Sequence, residues 1–347
     1  MAEGPARVSL AVGAFEGSPT EWNGFVAGQT GATHCHRHEW LGVMAAAFGH
    51  ETIALGARQP DGRLAGVLPL VRVRSLLFGH YLVSMPFLND GGPLGSDGAV
   101  QALTAEAVRL ADQGKVKLLE LRCRTPRPLD LRLSQRKITV VLDLLPDPDA
   151  VFRGLPSKLR SQVRRPQKEG VTVRFGPDQI EPFYHVFTRH MRDLGTPVLP
   201  RRFFQQMAAH HGDDAWFAAA WLGEKPVAAG AGLRFGSEFE ITWASALREF
   251  NPISPNMALY WAFIERASRE GCAVFNFGRC TPDSGTHRFK RQWGGRDVPL
   301  FWYQHGPASV TPSPDQGGLI GWGPRLWRHL PLPLATALGP GIVRGIP

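Results

Sequence analysis

The sequence predicts an α/β (α+β) protein made of two copies of one module, with mixed, mainly antiparallel sheets flanked by helices and a cleft between the copies. Three observations carry this. A chain of 347 residues suits two domains better than one. The order helix, antiparallel meander, helix, strand occurs twice. Between the two occurrences lies a proline-rich junction, "LDLLPDPDAVFRGLPSKL". The boundary is placed near 150, giving domains 1–150 and 151–305 and a Pro/Gly-rich tail, 306–347.

The elements follow in order. A helix around "HEWLGVMAAAFGH" leads to a strand "ETIALGAR", a "QPDGR" turn, the strands "LAGVLPLVRVRS" and "HYLVSMPF", a helix "GAVQALTAEAVRLADQG" and a strand "KVKLLELRC". The second copy has helices near 178–193 and 201–211, a strand "AWFAAAWL", a "GEKP" turn, strands "VAAGAGLRF" and "FEITWASA", a helix "NMALYWAFIERASREG" and a strand "AVFNFG". In that last helix Tyr260, Phe263, Ile264 and Ala267 fall at i, i+3, i+4 and i+7, with Asn256 as its cap and Gly271 at its end.

Composition narrows the class of function. With 43% hydrophobic and 20% charged residues the chain is globular. No apolar run approaches the roughly 20 residues a spanning helix needs. The N-terminus carries no apolar signal region, and the four scattered cysteines form no C-x-x-C pair, so a cytoplasmic protein is expected. The net charge of +9 favours an anionic partner: nucleic acid, a phosphorylated metabolite or an acidic membrane surface.

"LPSKLRSQVRRPQKEGVTVRF", the stretch "FNFGRCTPDSGTHRFKRQWGG" and the twin layout resemble the FemAB-like branch of the GNAT acyltransferase superfamily. "GVLPLVRVRSLLFGHYLVSMPFLNDGGP" and the tail segment "LWRHLPLPLATALGP" look more narrowly like FemAB-related proteins of PEP-CTERM and exosortase systems. The resemblance implies tandem GNAT-like domains and an enzyme that transfers an acyl or aminoacyl group to an amino group of a cell-envelope, peptidoglycan or exopolysaccharide-related precursor. The donor would be aminoacyl-tRNA or acyl-CoA as a co-substrate, with no tightly bound cofactor. Aminolysis of an ester or thioester needs a neutral amine, donors for the developing oxyanion and a proton route to the leaving group, so no covalent nucleophile is required.

Phe289 and Lys290 match the family's "G-T-x-x-F-K" pair, which implies that Lys290 contacts an acceptor phosphate or the reacting carbonyl. The alternative is a surface lysine beside a core phenylalanine. Arg279, Thr286, Arg288 and Trp293 are close enough in sequence to line the same site, although Trp293 equally suits core packing. The loop "LREFNPISPN" lacks the R/Q-x-x-G-x-G/A signature, and Pro252 and Pro255 remove N–H donors where GNAT domains cradle pyrophosphate. Both lower the expectation of CoA.

On a helix capped by Ser157 and ended or kinked by Pro166, Arg160, Arg164 and Lys168 make a positive stripe at four-residue spacing. It is either a phosphate-binding face or a solvated one. Asp90, in the turn "NDGGP", is a candidate base or ammonium-binding carboxylate, or an ordinary loop residue. His34, His36 and His38 do not converge on a helix, so no metal site is expected; His38 is expected to pack at the helix start.

The tail mixes Trp327 and leucines with Arg325, Arg328 and Arg344, and no acidic residue follows Asp315. It suits either peripheral membrane contact at the inner face of the membrane or a strap packed on the domains. The competing hypotheses are a non-catalytic GNAT-like module that binds a nucleotide-sugar or lipid-linked glycan, and a nucleic-acid-binding protein. The latter lacks any recognisable nucleic-acid motif.

Overall fold

The computed structural model describes residues 9–75, 78–307 and 319–346, with the backbone alone for 319–322. The chain divides into two compact units, 1–135 with 300–310 and 345–347, and 136–299 with 311–344.

The first unit begins with β1 (Ala11–Ala14), α1 (Pro19–Ala27) and α2 (Glu39–Phe48). Ser18 caps α1 by accepting from the Glu21 N–H, and Pro19 takes the first helical position, where no N–H is needed. The meander follows as β2 (Glu51–Arg58), β3 (Leu64–Ser75) and β4 (Gly79–Val83), then a two-residue β5 (Leu94–Gly95). α3 (Asp97–Gln113), β6 (Leu118–Cys123) and β7 (Arg132–Ser134) complete the run.

The second unit runs β8 (Ile138–Asp143), α4 (Pro148–Gly154), α5 (Ser157–Lys168), β9 (Val171–Phe175), α6 (Ile180–Leu194) and α7 (Arg201–His211). Its meander is β10 (Ala215–Leu222), β11 (Lys225–Phe235) and β12 (Glu238–Ala246), followed by α8 (Pro255–Arg269), β13 (Val274–Cys280), α9 (Gly285–Arg291) and β14 (Arg296–Pro299). β15 (Phe301–His305) belongs to the first unit, and α10 (Leu319–Trp327) and α11 (Leu332–Val343) to the second.

Each unit is built on one sheet. The first has strand order β1-β2-β3-β4-β6-β15-β7, with β5 beside β3; the second has β14-β8-β13-β12-β11-β10-β9. In both, the meander is antiparallel and one parallel pair, β4 with β6 or β12 with β13, joins it to the strand after the crossover helix. α8 lies along the second sheet as its spacing predicts, with Tyr260, Phe263, Ile264 and Ala267 all in the core.

Several boundaries differ from expectation. The division falls between Gln135 and Arg136, not near 150, because β8 pairs antiparallel with β13 of the second sheet. β15, assigned by sequence to 151–305, pairs with β6 and β7 of the first sheet. A strand's period shows which face it buries and says nothing of its partner. The tail carries two helices where a Pro/Gly-rich stretch was expected; residues 308–318 of that stretch lie outside the described residues.

Ser254, at φ 53°, holds the N-cap position of α8 without a side-chain capping bond, and Pro255 takes the first helical position, so Asn256 sits inside the helix. Pro156, not Ser157, precedes α5. Pro166 does not end the helix, which runs two residues further; its missing N–H costs the one bond that would go to the Gln162 carbonyl, and the ring lies on the buried face. His38 packs at the start of α2 against Trp22 (ring centroids 5.7 Å) and Phe15 (6.5 Å).

Candidate active site

The sheet of the second unit opens at one place. β12 and β13 pair in parallel only over Glu238–Glu240 and Val274–Asn276. Beyond that, β12 keeps its ladder to β11 and β13 its ladder to β8, so the two strands part. The parting coincides with a bulge in β13 between Asn276 and Arg279, where Gly278 takes φ 71°. A bulge turns carbonyls out of the ladder, and a residue at that φ is most cheaply glycine.

Lys290 uses those carbonyls. α9 starts at Ser284, whose hydroxyl accepts from the His287 N–H, and its pitch turns Lys290 inward, 4% exposed. The Lys290 Nζ donates to the Gly278 carbonyl (2.8 Å) and the Arg279 carbonyl (2.9 Å). Burial pulls its pKa down from 10.5 to about 8; Cys280 and Glu240 act in the raising direction, and Arg279 lowers it further. A lysine in this setting changes charge close to neutral pH, which an exposed lysine does not.

Beneath the bulge lies a buried polar network that the sequence analysis missed. Asn276 Nδ2 donates to Glu238 Oε1 (2.9 Å) and Glu240 Oε2 (3.1 Å), and its Oδ1 accepts from the Thr139 hydroxyl and the Gly278 N–H (2.9 Å). The Thr242 hydroxyl donates to Glu240 Oε1 (3.2 Å). Two acceptor carboxylates on one side and two donors on the other leave only one orientation of the amide. The signal available in sequence was polarity at inward positions: Asn276 inside "AVFNFG", and Glu240 on the buried face of "FEITWASA".

The other expected residues divide. Phe289 packs on the core, and Trp293 is buried with its ring centroid 6.2 Å from Tyr260 and 6.3 Å from Phe277. Thr286 and Arg288 face outward on α9, and Arg288 donates to the Asp283 carbonyl (2.7 Å). Arg279 is half-buried beside the bulge. Lys137 donates to the Thr281 hydroxyl (2.7 Å), and burial, then Arg279, lowers its pKa. On α5, Leu159, Val163 and Pro166 face inward, leaving Lys158, Arg164, Arg165 and Lys168 exposed. Arg160 donates to the Arg153 carbonyl and Arg164 stacks 5.1 Å over the Phe152 ring, so only Lys168 of the expected stripe is held by neither contact.

The equivalent opening in the first unit is filled. After the parallel pairing of β4 with β6, the chain stays on β6 irregularly: the Ser84 N–H donates to the Glu120 carbonyl (2.9 Å), the Ser84 hydroxyl accepts from the Arg122 N–H (2.8 Å), and the Gly92 N–H donates to the Arg122 carbonyl (2.7 Å). This path puts Met85 and Phe87 at positive φ, 53° and 69°, a strain the surroundings must hold in place. Gly91 allows it, since a Cβ there would meet Met85 and the Cys35 carbonyl.

Asp90, in this plug, is fully buried, with Arg124 Nε 3.2 Å from its Oδ2. His36 is buried nearby; the Thr33 N–H donates to its Nδ1, so its proton sits on Nε2, and burial pulls its pKa to about 3. Among the described residues no three His, Cys, Asp or Glu side chains converge on a metal-sized site.

Comparisons with known proteins agree with this architecture. Residues 156–291 match the family model described as an acetyltransferase (GNAT) domain. The chain is 29% identical over 118 residues to a UDP-N-acetylmuramoylpentapeptide-lysine N(6)-alanyltransferase from Weissella viridescens, covering 33% of this chain and 35% of that protein, so it spans about a third of the relative's length. Among solved structures, FemX superposes with a TM-score of 0.64 at 14% identity, over 84% of this chain and 97% of that one. L-PGS from Bacillus licheniformis superposes with a TM-score of 0.55 at 14% identity, over 95% and 97%. The chain therefore has a tandem GNAT-like fold of the kind seen in FemX, and its second copy matches the acetyltransferase (GNAT) domain family in sequence as well.

Proposed function

We propose that the protein is an N-aminoacyl- or N-acyltransferase whose acceptor is an amino group on a phosphorylated or lipid-linked cell-envelope precursor, met at the inner face of the membrane. The observation that carries this reading is the open parting of β12 and β13 with the Lys290 ammonium at its bulge. The likeness to an alanyltransferase of peptidoglycan precursors supports the acceptor class. The PEP-CTERM-type segments support an exopolysaccharide-related variant of it. Because the first unit's opening is plugged by its own chain, the donor is assigned to the second.

In this reaction the acceptor's neutral amine attacks the donor carbonyl. A C–N bond forms, the carbonyl oxygen gains charge, and the C–O bond to the ribose of the donor breaks. The proton released by the amine passes to that ribose oxygen. Lys290, held as ammonium by two carbonyls, faces the developing negative charge and is the catalytic residue in this reading. Asp90, paired with Arg124, acts in the first unit by holding the Asn89–Gly92 plug. Arg279 lies beside Lys290 as a substrate-binding cation, while Thr286 and Arg288 stand on the outer face of α9.

Two features favour aminoacyl-tRNA over acyl-CoA as donor. Pro252 in the turn before α8 and Pro255 at its first position remove backbone N–H groups where a pyrophosphate would need them. α5 exposes a cationic face with no carboxylate on the helix and no leucine among its outward residues, which suits a phosphate backbone. Reversing Arg164 and Lys168 together to glutamate is expected to raise KM for aminoacyl-tRNA about tenfold and to flatten its salt dependence by about two phosphate contacts, with kcat kept. Steady-state kinetics across a salt series check this, and an unchanged salt slope removes α5 from the donor site.

The function itself is tested with labelled aminoacyl-tRNA or labelled acyl-CoA and a UDP-N-acetylmuramoyl-pentapeptide acceptor. Amide-linked label from tRNA supports the reading. Label from acyl-CoA alone replaces the donor, and binding of the acceptor without transfer from either donor favours a non-catalytic module.

A further inference from the structure

The tail packs on the second unit with one face and presents leucines with the other. Of the residues in α11, Leu332–Val343, only Thr336 is polar. Ala335 and Gly339, one turn apart, are buried; Gly339 lies so close to Val198 that a Cβ there would sit 2.8 Å from its backbone nitrogen. α10 is held as well. The Pro324 carbonyl closes on Gly195, Arg328 donates to the Leu194 carbonyl (3.3 Å), and Arg192 donates to the Leu330 carbonyl (3.4 Å). Strap packing and an apolar outer surface are therefore properties of the same two helices, each of which packs against α6.

On the outer side Leu326 is 66% exposed, Leu334 52% and Leu338 53%, with Leu194 at the end of α6 41% exposed. Leu334 and Leu338 are one turn apart, as are the buried Ala335 and Gly339, so α11 has a small inner face and a large apolar outer one. Next to these leucines along the chain are exposed Arg325, Arg328, His329 and Arg344, and no acidic side chain occurs in the sequence after Asp315. No helix of the described residues is long and apolar enough to cross a membrane.

We infer that α10 and α11 form an in-plane docking surface for a bilayer bearing anionic lipid. The leucines enter the boundary between headgroups and acyl chains, and the arginines meet lipid phosphates. Arginines flank the exposed leucines, and the carboxylates beside them, Glu181 next to α11 and Asp193 next to Leu194, are paired with Arg201 and Arg192, so the surface complements anionic lipid, whereas α5, cationic without exposed leucines, suits a soluble polyanion. The inference stands apart from the transfer reading, since it concerns neither Lys290 nor either opening in the sheets. For a transferase with a lipid-linked acceptor, it would confine the enzyme to the surface that holds its substrate.

The test is co-sedimentation of the full chain with phosphatidylcholine vesicles, with and without phosphatidylglycerol. The parent and a variant carrying Leu326→Gln, Leu334→Gln and Leu338→Gln are compared. These side chains are mostly in water, so the variant is expected to keep its thermal midpoint. The parent should bind phosphatidylglycerol vesicles and release at high salt, and the triple variant should bind about tenfold more weakly or less. A parent that stays in the supernatant overturns the proposal, as does a variant that binds like the parent. A parent that is dimeric by sedimentation while the variant is monomeric also overturns it, because the leucine face then belongs to a second copy. Transfer to a soluble acceptor is measured separately, so failure here leaves the proposed transfer reaction standing and removes only its place at the membrane.

Discussion

Replacing Lys290 with methionine is expected to lower kcat/KM for amide formation by about 10²–10³-fold, the usual cost of removing one donor to a developing oxyanion. Methionine keeps the buried volume but leaves the carbonyls of Gly278 and Arg279 without the ammonium that now joins them. Arginine should not rescue, because a forked guanidinium does not fit a slot in which lysine is 4% exposed. The pH profile separates a chemical role from a packing role. With the Lys290 pKa lowered to about 8, the ammonium is lost as pH rises through that value, so kcat/KM of the parent should fall on the alkaline side and the variant should lack that limb.

Stability gives a second readout with a definite sign. A lysine whose folded pKa lies below its unfolded value binds fewer protons when folded, so the parent gains stability relative to the methionine variant as pH rises from about 8 towards 10.5. Matched melts across that range check it. An alkaline limb that persists in the variant would assign the titration to another group.

Asn276→Asp is expected to be the most damaging single change in the second unit. It puts a third carboxylate against Glu238 and Glu240 and removes both of the N–H donors they now accept from. Losing a buried charge-assisted partner and adding a like charge costs about 3 kcal/mol or more, roughly 6–12 °C in midpoint for a unit of this size. Asn276→Leu should cost less, since it adds no charge. Melts of the two variants side by side distinguish the mechanisms: Asn276→Asp should melt below Asn276→Leu, because only the aspartate adds a like charge. Equal midpoints for Asn276→Asp and the parent would remove the network from the account of what holds the bulge.

The meanders were legible because their information is local. Alternation in "ETIALGAR", the turns "QPDGR" and "GEKP", and the i, i+3, i+4, i+7 spacing of Tyr260, Phe263, Ile264 and Ala267 each specify an element from neighbouring residues alone. The Phe-Lys pair marked Lys290 as a candidate, yet nothing local said whether it faces solvent or core. Its direction follows from the pitch of α9 and from a bulge twelve residues earlier in the chain.

By itself, then, the sequence determined two copies of one α/β module, the basic character of α5 and the leucine and arginine content of the tail, all matters of period and composition. Only the tertiary structure decided that β8 completes the second sheet and β15 the first, that Asn276 ties Glu238 and Glu240 to the bulge carrying Lys290, that the first unit's opening is plugged, and which leucines of the tail stay in water. Strand partners, buried polar networks and the outer face of a packed helix depend on residues distant in sequence meeting in space. A residue's own type and spacing limit those meetings without selecting among them.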